Sequence, residues 1–341
     1  MSQASSTDRP KVALIVPSNR LGDTYTPEAL ATLDEFADVR RAEGDSKDIA
    51  AQLPKLLAEV DACLTSWGTP PITEAALEQA KRLRIVAHSA GSVKRLVPES
   101  IFQRGITVSH AANIIADAVV EMTVLSMLLG LRRVHEMDRL LKAGRSWQEA
   151  GAVTEGRLLS GQTVGLVGLG YVGRKVSRLV GAFGPRILAY DPYLTEADAR
   201  ALGVEGASLD DVFARSTVVS IHAPVTPETH HLVGADQLRR LRDGAIFINC
   251  ARSWVVDQEA LLAELRTGRI WAALDVFDQE PLPIDSPFRT LDNVVITPHK
   301  AGHSIDTHRR QGLVMIEELR RFFHGEELQY RISPEAFARM A

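Results

Sequence analysis

The run at residues 163–173, TVGLVGLGYVG, constrains this chain more than any other segment. Five mostly apolar residues lead straight into Gly168-x-Gly170-x-x-Gly173, and residues 171–183 then carry helical spacing. A strand that turns into a helix within a few glycines belongs to a βαβ unit, and so to a parallel sheet. Gly168 permits the tight turn, Gly170 lets the backbone approach a pyrophosphate, and Gly173 lets the helix pack on the strand. The intervening Leu169, Tyr171 and Val172 sit where a helix start offers free N–H groups and a positive dipole end to phosphate. The next apolar run, 186–190, ends at Asp191, 23 residues after Gly168. An acidic residue there hydrogen-bonds the adenosine ribose and repels a 2′-phosphate. Pro192 and Tyr193 follow it, not arginine. The segment therefore reads as a dinucleotide site that favours NAD over NADP.

The rest of the chain alternates in the same manner. Strands are expected at 12–16, 61–65, 84–87 and 106–109, with helices near 27–37, 47–59, 73–82 and 96–103 between them. An amphipathic helix is expected at about 114–134, then a polar loop at 142–161. A second series of strands is expected at 163–167, 186–190, 218–222, 245–250, 270–275 and 294–297, enough for a complete dinucleotide-binding sheet. Residues 304–324 read as one long helix stopped by Gly325; having no strand of its own, it is expected to cross back onto the first domain. A chain of 341 residues is long enough for two such domains.

Several function classes are disfavoured. With 39 basic against 43 acidic residues the net charge is −4, which gives no general footprint for nucleic acid. Cys63 and Cys250 are neither a disulfide framework nor a thiolate metal site, and the histidines 230, 231, 303 and 308 lack further metal ligands. The N-terminal MSQASSTDRP has no apolar core of a signal peptide, and the most apolar helix-length stretch, 114–131, contains Asp117 and Glu121. The expectation is a cytoplasmic protein with no metal and no nucleic-acid or membrane partner.

Chemistry-bearing residues fall at the carboxyl ends of three expected strands: Arg252 in INCAR, Asp275 and Glu280 in LDVFDQEP, and His299 in TPH. Ligands of open α/β sheets bind at such ends. Arginine grips a carboxylate with a two-pronged fork. Histidine exchanges a proton near neutrality, and a carboxylate beside it stabilises the imidazolium. Trp67, just past an expected strand end, is a candidate aromatic wall for the same pocket.

With these motifs in hand, the chain resembles the D-isomer-specific 2-hydroxyacid dehydrogenase family, in the manner of phosphoglycerate dehydrogenases and glyoxylate/hydroxypyruvate reductases. The resemblance rests on segments 164–173, 188–192, 220–232 (SIHAPVTPETHHL), 244–257 (GAIFINCARSWVVD), 273–283 (ALDVFDQEPLP) and 297–302 (TPHKAG), in the family's order. It implies that Arg252 binds the substrate carboxylate, that His299 is the general acid/base, and that Glu280 pairs with it. It implies that Asp275 meets the nicotinamide carboxamide, and that His222, Ala223, Pro224, Thr229, Cys250, Ala251 and Gly302 line the cofactor with Arg252 and His299. Ser89, Ala90 and Gly91 match the loop whose N–H groups receive the substrate carboxylate. The implied architecture is two Rossmann-like domains: a doubly wound NAD-binding domain at 113–303 inserted into a flavodoxin-like substrate domain at 1–112 and 304–341. The implied assembly is a homodimer through the NAD-binding domains, and the implied substrate is a small 2-hydroxy or 2-keto acid. Two alternatives remain open at this point: a phosphite-type donor on the same fold, and an NAD-sensing co-regulator.

The chain departs from the family pattern in places. Ser253 and Trp254 follow Arg252 where the family has glycine, Lys300 follows His299, and Ile115 stands where an asparagine is usual, with Asn113 nearby. If position 253 required a left-handed backbone, serine would be strained there.

Overall fold

The computed structural model describes residues 9–340. They form two compact units, each with its own parallel sheet: residues up to Ile115 with those from His303, and residues 116–302.

The first unit carries strands β1 (Lys11–Ile15), β2 (Asp38–Arg41), β3 (Ala62–Thr65), β4 (Ile85–His88) and β5 (Thr107–His110), in the order β2-β1-β3-β4-β5. All its pairings are parallel, and the order is the flavodoxin-like one. β3 and β4 are buried throughout, as a sheet covered on both faces requires. β2 lies outside the expected strands because Asp38, Arg40 and Arg41 give no apolar run; it is an exposed edge held by pairing to β1. Helix Ser18–Thr24 was also not expected, and the helix expected at 96–103 shrinks to Ser100–Gln103, beyond Pro98. The helix Ile305–His324 starts at Ser304, whose hydroxyl accepts from the Thr307 N–H, and stops at a left-handed Gly325. It buries Met315, Ile316 and Leu319 among Tyr25, Leu33, Leu64 and Ile85. A Cβ on Gly312 would stand 2.0 Å from the Thr24 carbonyl oxygen, so only glycine allows this approach.

The second unit carries β6 (Thr163–Val167), β7 (Arg186–Tyr190), β8 (Glu205–Gly206), β9 (Val218–Ile221), β10 (Ile246–Asn249), β11 (Trp271–Leu274) and β12 (Val294–Ile296), in the order β12-β11-β10-β9-β6-β7-β8. The six expected strands are joined by the two-residue edge strand β8, too short to leave a hydrophobic pattern. Strand order reverses between β6 and β9, which is where such sheets bind ligands. Helix Ala112–Arg132 is long and apolar enough to cross a membrane by length and composition, yet Val120, Val124, Met127 and Leu131 are buried in this unit's core. Gly130 makes that packing close: a Cβ there would lie 2.9 Å from Ile246 and Trp271 side-chain atoms. The backbone turns at Arg133 (φ 49°) and continues as helix Val134–Lys142. The expected loop at 142–161 contains a further helix, Trp147–Gly151, started by a reciprocal Ser146–Glu149 cap.

Candidate active site

The glycine turn sits at the carboxyl end of β6. Gly168 has φ 96°, and a Cβ there would be 2.7 Å from the Ala223 N atom. A Cβ on Gly173 would stand 2.1 Å from the Gly168 carbonyl oxygen. Gly170, exposed at the start of helix Tyr171–Gly181, has no atom within 4 Å of that position. Asp191, at the end of β7, accepts from the Leu169 N–H (2.7 Å) and the Tyr193 N–H (2.9 Å), so it braces the turn; Pro192 beside it is exposed. His222 lies just past β9 against Gly168; both its ring nitrogens are buried without a hydrogen-bond partner, and burial pushes it down to about 3, so the ring is neutral. A turn open on one side, a strand-end carboxylate and an unsatisfied buried imidazole fit a dinucleotide. Gly168, Leu169, Gly170, Tyr171, Val172, Gly173 and Asp191 would hold its pyrophosphate and ribose, with Ala223 and Pro224 alongside.

The chemistry-bearing residues follow β10, β11 and β12. The Asn249 side chain accepts from the Ala251 N–H (3.1 Å) and donates to the Arg252 carbonyl (3.0 Å), shaping the turn that presents the exposed Arg252. Asp275, after β11, is 1% exposed. Its carboxylate accepts from the Thr297 hydroxyl (2.5 Å) and from the Lys300 and Ala301 N–H groups (both 2.8 Å), while its carbonyl accepts from the His299 N–H (2.9 Å). The residue expected at the nicotinamide thus fastens the turn that carries His299. His299 itself is left-handed, with φ 52°, a conformation uncommon outside glycine and concentrated at functional sites.

His299 Nδ1 lies 2.7 Å from Glu280 Oε2, and Glu280 Oε1 accepts from the Phe277 N–H at 3.0 Å. A carboxylate oxygen only accepts here, so Nδ1 bears the proton and Nε2 is left for a substrate. Both side chains are partly solvated, so the pair orients the ring more than it stabilises the fold. A cavity of about 680 Å³ adjoins the pair, lined by Glu280, His299, Phe277, Leu282, Ile296 and Pro298.

In the first unit, Ser89, Ala90 and Gly91 follow β4, and Trp67 follows β3. Trp67 stacks on His303 (ring centroids 5.7 Å) and tilts against His308 (4.9 Å). Other candidates find ordinary placements. The Thr229 hydroxyl donates to the Pro224 carbonyl (2.6 Å) and accepts from the Thr226 N–H (2.7 Å), closing that turn. The Cys250 thiol is buried and pushed up to about 12 by desolvation. Ala251 and Gly302 are half-buried. Lys300 is exposed, as is Trp254, whose edge meets His230. Ser253 opens a short 3-10 turn and is absent from the left-handed residues, so serine is unstrained there. No group of three potential metal ligands occurs among the described residues.

Two parallel α/β units, a glycine turn suited to a dinucleotide, and a paired histidine and carboxylate beside a strand-end arginine define an NAD-dependent oxidoreductase. The NAD binding domain of the D-isomer specific 2-hydroxyacid dehydrogenases matches residues 124–301. The chain is 38% identical over 286 residues to a glyoxylate reductase of Korarchaeum cryptofilum, covering 82% of this chain and 86% of that one. It is 32% identical over 306 residues to a D-3-phosphoglycerate dehydrogenase of Methanocaldococcus jannaschii, covering 89% of this chain but only 57% of that relative's length. A solved phosphoglycerate oxidoreductase from Rhizobium etli superposes with a TM-score of 0.79 at 30% identity, covering 95% and 99% of the two chains. The chain belongs to the D-isomer specific 2-hydroxyacid dehydrogenase family.

Proposed function

We propose that this protein interconverts a D-2-hydroxy acid and its 2-keto acid with NAD(H). The observation that carries the reading is the 2.7 Å pairing of His299 Nδ1 with Glu280, in the segments that follow β12 and β11, with Arg252 following the neighbouring strand β10. Arg252 forks onto the substrate carboxylate. In oxidation His299 Nε2 takes the hydroxyl proton while the C2–H bond breaks with its electron pair; in reduction it returns the proton to the carbonyl oxygen. Glu280 stabilises the imidazolium that forms between these events and keeps Nε2 aimed at the substrate. When bound, NAD accepts or supplies the hydride at nicotinamide C4. Asp275 keeps the His299 turn in place, and Asn249 does the same for Arg252. Ser89, Ala90, Gly91 and Trp67 are assigned to the substrate, and the unit that contains them is the substrate domain in this reading.

The same reading includes a cytoplasmic homodimer formed through the NAD-binding unit. Large apolar side chains exposed along it, Leu125, Val134, Leu141, Trp147 and Leu158, support that assembly. The test follows NADH consumption with glyoxylate, hydroxypyruvate, pyruvate, phenylpyruvate and 2-ketoglutarate, with NADPH in parallel. Turnover of at least one acid, faster with NADH, is expected. NADH binding with no turnover of any acid overturns the reading.

A further inference from the structure

We propose that Ser66 and His110 are positioning residues that hold the turn after β4 so that the amides of Ala90 and Gly91 receive the substrate carboxylate. The inference rests on the function proposed above and names residues that the site description leaves unused.

Three successive carbonyls of this turn are tied to donors. The Ser89 carbonyl accepts from the Ser66 hydroxyl (3.3 Å), the Ala90 carbonyl from the Ala111 N–H (3.1 Å), and the Gly91 carbonyl from His110 Nδ1 (2.8 Å). A carbonyl cannot donate, so His110 Nδ1 carries the proton. The start of the turn is held as well: the Ser89 N–H donates to the Thr65 carbonyl (2.7 Å), and its hydroxyl meets the Tyr25 hydroxyl at 2.5 Å.

In a planar trans peptide the C=O and the following N–H point in opposite directions. A Ser89 carbonyl held by Ser66 therefore turns the Ala90 N–H the other way, and an Ala90 carbonyl held by Ala111 does so for Gly91. Among the described residues no group accepts from either amide. Successive N–H groups of this kind form a concavity for an anion. A donor on the carbonyl also polarises its peptide and strengthens the N–H of the same unit. Ser66 thereby acts on the Ala90 amide. His110 fixes the far end of the turn.

The supporting groups are neutral. Burial pushes His88 down to about 3 and lowers His110, and it raises Tyr25 so that its hydroxyl stays protonated. His88 Nδ1 in turn meets the Thr65 hydroxyl at 2.9 Å. Serine, tyrosine and histidine side chains at 0 to 5% exposure, in a unit otherwise filled with aliphatic residues, are costly to bury unless each is hydrogen-bonded. Here the bonds of Tyr25, Ser66 and His110 converge on one turn.

The test uses the full chain loaded with NADH. Oxamate, an unreactive carboxylate probe, is titrated by NADH fluorescence, and KM and kcat are measured for the best keto acid of the panel. His110→Phe keeps a ring and removes the donor. His110→Asn places its amide nitrogen on the same carbon that bears Nδ1. Ser66→Ala removes one hydroxyl and no volume that the fold depends on. His110→Phe and Ser66→Ala are each expected to weaken oxamate and raise KM about ten-fold, the worth of one buried hydrogen bond, with kcat within about three-fold and NADH affinity unchanged. His110→Asn is expected to restore KM to within about three-fold of the parent. An unchanged KM in Ser66→Ala, or a His110→Phe loss that His110→Asn does not repair, overturns the inference while the function stands. A parent protein that binds NADH yet neither binds oxamate nor consumes any keto acid overturns both.

Discussion

Two strand-end turns of this molecule present backbone N–H groups, and they are held by opposite means. The turn after β6 keeps its shape because side chains are missing: a Cβ on Gly168 or Gly173 would collide with backbone atoms. The turn after β4 contains one glycine, and its shape comes from side chains of three other segments, Tyr25, Ser66 and His110, that bind its carbonyls and its serine. The first turn is damaged by adding a carbon and the second by removing a donor. A backbone aimed at a ligand is therefore no single structural device. Steric exclusion needs only local sequence, whereas hydrogen-bonded support needs a built core underneath.

The two turns are best separated against a variant that touches neither. His299→Ala removes the proposed proton-transfer group and should lower kcat about 10³-fold in a keto-acid assay with NADH binding kept; a smaller loss than ten-fold would move the acid/base role elsewhere. Gly173→Val strikes the first turn and should weaken NADH roughly 100-fold by fluorescence titration. A parent-like affinity would mean the turn tolerates the shift that the 2.1 Å contact with Gly168 forbids. Asp191→Ala removes the carboxylate expected to meet the ribose and one brace of the same turn, and should narrow the NADH-over-NADPH preference about ten-fold. An unchanged ratio would place ribose discrimination in another residue.

A further effect concerns acid. His88 lies beneath the second turn and His222 beside the first, and both are pushed down to about 3 by burial, against an ordinary value near 6.5. Between those values the unfolded chain binds more protons than the folded one, so stability is full above about 6.5 and is lost as pH falls. Each group weakens folding by up to about 1.4 kcal/mol per pH unit in that window. Melting temperature should therefore fall between pH 7 and pH 5 for the parent, and less steeply for His88→Gln. Parallel pH curves would show that His88 is not held neutral.

These contrasts also explain what a reader of the sequence can and cannot see. The glycine turn is contiguous, and its strand, helix and Asp191 lie within one short window. The segments that carry Arg252, Glu280 and His299 stand out because each follows a run of strand-forming residues. The edge strands β2 and β8 were not, since a chain segment held mainly by one neighbour's backbone needs no apolar pattern. The Asp275 carboxylate is engaged by Thr297, Lys300 and Ala301, and no spacing rule announces that. The support of the second turn is the least legible part. Tyr25, Ser66 and His110 are ordinary residues far apart in the chain, and only the order of strands in the first sheet gathers them.

The returning helix Ile305–His324 has a consequence for how the protein is made. Its Met315, Ile316 and Leu319 complete the core around Tyr25, Leu33 and Ile85, but they leave the ribosome after the whole of residues 116–302. At ordinary elongation speeds of about 5–20 residues per second, the apolar surface of the earlier segments waits roughly 10–40 seconds for its cover. The inserted unit has all its strands in hand before that moment. The nascent chain thus carries a finished nucleotide fold alongside an unfinished one, and the unfinished one is where chaperones would find their grip.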